Sequence, residues 1–199
     1  MDKDKPDFEK VTAAVLAGGK SSRMKSDKAM LPINNQSMLE HILSQLQPHF
    51  GEVLICTNSA GRYHFEGVRV VLDFVEGLGP LAGILAALEA ARNPVVFVTA
   101  CDIPMINLEL VGEMCARWRQ FDCVVPTLAD GLYEPLFALY QKRLLPAIKA
   151  MLARGERSVM KLFAEVDVTY IRVRESAWYK NLNTMQDFRE YKKELNEPF

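Results

Sequence analysis

The chain has 199 residues, 49% of them hydrophobic, enough to close one sizeable core, and no apolar run reaches the roughly 18 residues of a membrane helix. Lys+Arg 24 against Asp+Glu 25 leave a net charge of −1, without the basic excess of a nucleic-acid binder. Cys56, Cys101, Cys115 and Cys123 have no zinc-ligand spacing, and the three histidines stand apart from other ligand-type residues, which argues against zinc chemistry and His-based nucleophilic triads and for reduced structural thiols.

The opening MDKDKPDFEK is charged and lacks the apolar segment of a secretory signal, so residues 1–10 read as a tail on a cytoplasmic protein. From there short apolar runs alternate with amphipathic helical patterns, the mark of repeated βα units. Strands are expected at 11–16, 53–57, 68–72, 95–99, 123–125 and 136–140, with an edge strand at 168–173 whose residues alternate. Helices are expected at 37–46, 81–91, 108–120, 144–152 and 184–195. Ser37 with Glu40, and Thr184 with Asp187, have the spacing of N-terminal capping boxes. The strand at 95–99 is strongly apolar, as at the centre of a sheet covered on both faces. The fold class is therefore α/β, a mainly parallel central sheet with helices on both faces in three layers, and residues 11–199 read as a single domain.

Four segments carry candidate chemistry. LAGGKSSRMKSDKA, residues 16–29, begins where the first strand ends, the edge at which open α/β sheets bind ligands. Gly18 and Gly19 permit conformations and close approaches that a side chain would block, and Lys20, Arg23, Lys25 and Lys28 follow within nine residues. Cations on a glycine-rich turn suit a triphosphate; the alternative is a solvated surface turn. The segment matches neither GxGxxG nor GxxxxGK[ST]. In VFVTACDIPMI, Asp102 lies just past a buried strand, where a carboxylate could hold Mg²⁺ or cap the next helix or turn. GLGPLAGI, residues 77–84, is either a ligand-facing loop or a packed helix start. In NLNT, Asn181 and Asn183 could orient a phosphate or a metal-bound water, or serve the cap built on Thr184.

In this order, together with YEPLFALY at 133–140 and GERSVMKLF at 155–163, these segments resemble the molybdenum cofactor guanylyltransferase family of the MobA type, over nearly the whole chain. The resemblance implies a Rossmann-like nucleotidyltransferase fold and the transfer of GMP from GTP to molybdopterin (as Mo-molybdopterin), with Mg²⁺ as cofactor. It implies nucleotide contacts at Leu16, Ala17, Gly18, Gly19, Lys28, Asp73 and Asp102, with Asp102 also the Mg²⁺ ligand. Arg23, Lys28 and Asp102 are expected to be catalytic, and Gly19, Arg23, Asn181 and Asn183 match positions tied to activity. The paired glycines favour guanine over cytosine. Molybdoenzymes or their chaperones are possible partners; no nucleic acid or membrane is expected.

Two departures stand out. Lys25 occupies a position usually glycine, and Cys56 one that is often small and polar. The expected reaction is in-line attack by a phosphate monoester, which is ionised near neutrality with a second pKa of about 6 and needs no protein base. Arg157 and Lys161 are candidates for the pterin side or members of a solvated helix face. Competing readings are a cytidylyl- or sugar-phosphate nucleotidyltransferase, and a non-catalytic nucleotide- or cofactor-binding protein.

Overall fold

A computed structural model describes residues 8–18, 28–33, 35–59, 61–72, 79–128, 131–173 and 179–195. Its strands are β1 (Val11–Leu16), β2 (Pro32–Ile33), β3 (Gln36–Ser37), β4 (Glu52–Thr57), β5 (Val68–Leu72), β6 (Val95–Ala100), β7 (Cys123–Thr127), β8 (Phe137–Gln141) and β9 (Val168–Arg172). The α-helices are α1 (Met38–Leu46), α2 (Pro80–Ala90), α3 (Leu108–Cys115), α4 (Leu145–Ala153), α5 (Val159–Phe163) and α6 (Met185–Glu194).

Seven strands form the central sheet in the order β5-β4-β1-β6-β8-β7-β9. β1 pairs in parallel with β4 and β6, β4 with β5 and β7 with β9, whereas β8 runs antiparallel to both β6 and β7. Every residue of β1, β4 and β6 is buried, as strands covered on both faces require. Side chains alternate between two cores. Val11, Ala13, Val15, Val95 and Phe97 meet α1, α3 and α6 on one face; Ala14, Leu16, Val96 and Val98 meet α2, α4 and α5 on the other. This is the three-layer arrangement that the alternation of elements implies.

Both expected capping boxes form. Glu40 N donates to Ser37 Oγ at 3.2 Å while Ser37 N donates to Glu40 Oε2 at 2.6 Å. Thr184 and Asp187 repeat the pattern at 3.1 and 2.7 Å. These bonds satisfy amides that the first helical turn leaves without partners. α2 starts differently: Gly79 has φ 72° and ψ −169°, a region essentially reserved for glycine, and Pro80 follows at the first helical position.

Three local expectations shift. The helix expected over 108–120 ends at Cys115. Gln141 Nε2 donates to the carbonyl oxygens of Trp118 and Phe121, so these carbonyls serve the neighbouring strand rather than a helix. The hairpin β2–β3 falls where no strand is expected, because two-residue strands generate no readable periodicity; Asn35 turns it at φ 59°. Phe8–Lys10, within the expected tail, form a 3₁₀ turn, and Phe8 packs on the core.

At the amino edge of the sheet the buried Glu52 accepts from Thr12 Oγ1 at 2.6 Å, Arg69 Nη2 at 2.7 Å and Arg92 N at 2.7 Å. A carboxylate so deeply placed needs such partners. The four cysteines form no disulfide, and Cys56 and Cys123 are buried.

Candidate active site

The chain leaves β1 for β4 and β5 on one side and returns to β6 on the other, so the direction of winding reverses between β1 and β6. Such a switch point opens a crevice beyond the carboxyl ends of the strands. Leu16 and Ala100 are partners in register at its floor. Directly beyond them Ala17 N donates to Cys56 O at 2.8 Å, and Cys101 N to Leu16 O at 3.1 Å. The glycine-rich segment and the acidic turn therefore enter the crevice from adjacent strands.

The acidic turn is fastened from several directions. Ile103 is fully buried, and its N–H donates to Ala100 O at 3.1 Å. Gln45 of α1 clamps the next residues, donating to Pro104 O at 2.8 Å and accepting from Ile106 N at 3.0 Å. Asp102 caps no helix among the described residues; the N-cap of α3 is Asn107, whose Oδ1 accepts from Leu110 N at 3.0 Å. The helix cap proposed for Asp102 is therefore supplied by Asn107.

The Asp102 carboxylate faces a cation. Lys28 Nζ lies 3.3 Å from Asp102 Oδ2 and 3.5 Å from Asn183 Oδ1. Lys28 opens a 3₁₀ turn fixed by the buried Ala29. The NLN segment is tied to the same turn, because Leu182 N donates to Asp102 O at 2.8 Å. Residues 28, 102 and 181–183, remote in sequence, thereby form one cluster. Asn183 reaches it with its side chain while its backbone N–H donates to Asp187 Oδ2 at 2.9 Å, so it takes part in the helix cap and also touches Lys28. Burial pushes the Asp187 carboxyl up, but hydrogen bonds from Thr184 and Asn183, and the charge of Lys28, hold it below the usual carboxylate range.

The donor set fits a hard divalent cation. One carboxylate and one amide oxygen already converge on the Lys28 ammonium, and Asn181 Oδ1 is enclosed with no hydrogen-bond partner. Among the described residues no group of three or more His, Cys, Asp or Glu could hold a metal. A single carboxylate with neutral oxygens suits an ion that keeps several ligand positions for water and substrate phosphates.

The remaining expected residues divide cleanly. Leu16 is buried at the end of β1; Ala17 is partly exposed and Gly18 exposed at the crevice. Gly18 does not adopt a positive φ, and an added Cβ would meet Asn58 N at 3.7 Å and Thr57 Cα at 3.9 Å, ordinary contacts. Neither its backbone conformation nor its contacts among the described residues require that glycine. Gly19, Arg23 and Asp73, with Lys20 and Lys25, lie outside the described residues. In GPLAGI the second glycine serves packing: a Cβ on Gly83 would come within 3.3 Å of Leu16 Cδ1 and Cδ2. Lys161 pairs with Glu156 on an exposed face and draws the Glu156 carboxyl down to about 2, as in the solvated-face reading.

Two further residues join the cluster that the sequence reading did not single out. Glu134 is 9% exposed. It accepts from Leu136 N at 2.9 Å and from the Tyr179 hydroxyl. Burial pushes the Glu134 carboxyl up, with a small contribution from the charge of Asp102, while the Tyr179 and Leu136 bonds pull it down. Burial likewise raises the Tyr179 phenol, as do Glu134 and Asp102; a bond from the Asn181 amide opposes this. The available signal was an acid directly before the apolar run of residues 135–139, since unpaired carboxylates are almost never buried.

A switch-point crevice that gathers a lysine, a carboxylate and amide oxygens defines a nucleotidyltransferase of Rossmann-like fold. The profile of the MobA-like NTP transferase domain matches residues 13–169, and the chain belongs to that family. A Carboxydothermus hydrogenoformans protein named as a probable molybdenum cofactor guanylyltransferase is 32% identical over 188 residues, covering 91% of this chain and 94% of its own. The molybdenum cofactor guanylyltransferase of Vibrio campbellii is 33% identical over 181 residues, covering 89% and 92%. Among solved structures, the molybdopterin-guanine dinucleotide biosynthesis protein A of Archaeoglobus fulgidus superposes with a TM-score of 0.79 at 22% identity, covering 93% of this chain and 98% of its own. That likeness carries the fold.

Proposed function

We propose that the chain transfers GMP from GTP to molybdopterin, carried as Mo-molybdopterin, forming the guanine dinucleotide form of the cofactor and releasing pyrophosphate. The observation that carries this reading is the convergence of Lys28, Asp102 and Asn183 at the β1–β6 crevice, in a chain whose similar relatives bear the guanylyltransferase name. The difficulty of the reaction is bringing two polyanions together, so the site has to supply positive charge and fixed positions rather than proton transfer.

Asp102 would hold Mg²⁺, with the amide oxygens of Asn181 and Asn183 beside it. Bound there, Mg²⁺ would neutralise α-phosphate oxygens of the nucleotide. Lys28, released from Asp102, would hold the triphosphate and stabilise the departing pyrophosphate together with Arg23, while Gly18 and Gly19 admit the phosphates to the backbone. Leu16, Ala17 and Asp73 would contact the nucleoside. Residues 11–199 would act as one nucleotidyltransferase domain in the cytoplasm, passing the product to molybdoenzymes or their chaperones. No helix among the described residues is long and apolar enough to cross a membrane.

Pyrophosphate release, measured with GTP, CTP, ATP and UTP with and without molybdopterin, tests the proposal. Release is expected only with GTP and molybdopterin together. Preference for CTP would make the chain a cytidylyltransferase, release with a sugar phosphate would change the acceptor, and tight GTP binding without release would make it a binding protein.

A further inference from the structure

Asn181 presents a puzzle of orientation. An enclosed amide oxygen without a partner carries a desolvation cost, and rotating the amide by half a turn would bring that oxygen to the Tyr179 phenol. A bond from the Asn181 amide to the phenol opposes the rise that burial gives Tyr179, which is the effect of an N–H donor, and Oδ1 has no partner among the described residues. Glu134 accounts for this. Its carboxylate has only acceptor oxygens; one takes Leu136 N–H at 2.9 Å and the other takes the Tyr179 hydroxyl proton. A phenol has a single proton to donate. Once that proton is committed to Glu134, the phenol oxygen can only accept from Asn181, which must present its N–H and turn its carbonyl oxygen away.

We propose that Glu134, acting through Tyr179, is a positioning residue that fixes the Asn181 amide so that its bare carbonyl oxygen joins Asp102 and Asn183 in binding the metal–nucleotide. The inference rests on the activity proposed above and adds the residue that orders part of its site. The relay spans chain-distant pieces: Glu134 at the entrance to β8, Tyr179 ahead of the NLN segment, and Leu182 tied back to the Asp102 turn at 2.8 Å. Partners of this kind, one shell removed from a ligand, set its orientation, and their loss commonly costs about 10–100-fold in metal affinity or activity.

The variant Glu134→Gln separates positioning from packing. Because Leu136 N–H requires an oxygen, the glutamine must turn its NH₂ toward Tyr179. The phenol proton is then released to Asn181 Oδ1, and the relay runs backwards with shape and hydrogen-bond number preserved. The expected result is a melting temperature close to wild type, Mn²⁺ affinity of the protein alone, titrated by EPR, weakened about tenfold, and a similar fall in kcat. Adding Asn181→Asp to Glu134→Gln supplies a second oxygen and should recover most of the Mn²⁺ affinity. Tyr179→Phe, which keeps the ring, should weaken Mn²⁺ binding in the same direction and serves if Glu134→Gln fails to fold. Wild-type Mn²⁺ affinity in Glu134→Gln and Tyr179→Phe, or no recovery in the double variant, overturns the inference. Absence of GTP turnover in the wild-type protein would sink the proposed activity instead, and the Mn²⁺ comparison would still decide the relay.

Discussion

An ammonium lies 3.3 Å from the Asp102 carboxylate and 3.5 Å from the Asn183 amide oxygen, and the metal proposed for those oxygens would have to displace it. In the proposed reaction, binding of the metal would free Lys28 to swing onto the triphosphate, so one side chain would serve both the resting and the reacting site. Lys28→Ala should therefore lower kcat by roughly 10²–10³-fold, the loss of one preorganised electrostatic partner; a steady-state assay showing less than about a threefold loss (~0.6 kcal/mol) would remove Lys28 from the chemistry. Asp102→Ala should abolish metal-dependent turnover yet melt within a few degrees of wild type, since Asp102 caps no helix and its backbone, not its side chain, holds Leu182. Both positions stand out in the sequence, because a basic glycine-rich segment and an acid just past a buried strand each have a local signature, and the structure brings the two side chains together. Glu134 and Tyr179 were not. Their meaning lies in a hydrogen bond between residues 45 positions apart, and no local spacing records it.

At the scale of elements, the apolar alternation placed every central strand correctly, because burial on both faces leaves a continuous hydrophobic run. The same pattern overextended the helix at 108–120, where carbonyls are taken by Gln141, a tertiary contact that propensity does not register. The glycines of the α2 start divide in a way their spacing does not reveal. Gly83 admits Leu16 against the helix, while Gly79 is required by its backbone angles alone, with nothing within 4 Å of an added Cβ. Gly79→Ala should consequently destabilise the protein by about 1–3 kcal/mol through backbone strain, seen as a lower urea midpoint; an unchanged midpoint would mean the α2 start relaxes freely.

Across the whole molecule the sheet separates two duties. The carboxyl edge gathers Lys28, Asp102, Glu134 and the NLN segment, while the amino edge is closed by Glu52 with Thr12, Arg69 and Arg92. Glu52→Ala strips the acceptor from the buried Thr12 hydroxyl and the Arg92 amide and should cost about 1–3 kcal/mol of stability. Turnover per folded molecule should stay within about twofold (~0.4 kcal/mol) of wild type, because Glu52 and its partners lie at the opposite edge of the sheet from the crevice. A larger fall in turnover with stability unchanged would deny the division. That division follows from topology, since the winding reverses between the parallel strands β1 and β6, and the βα alternation in the sequence suggests such a reversal without fixing which strands flank it.

The most direct measurement is a crystal structure with Mn²⁺ and a GTP analogue uncleavable between the α- and β-phosphates. The predicted result is an anomalous peak in coordination with an Asp102 carboxylate oxygen, Lys28 on the triphosphate, and the nucleotide in the β1–β6 crevice. Metal and nucleotide bound elsewhere, with Lys28 still paired to Asp102, would contradict the account.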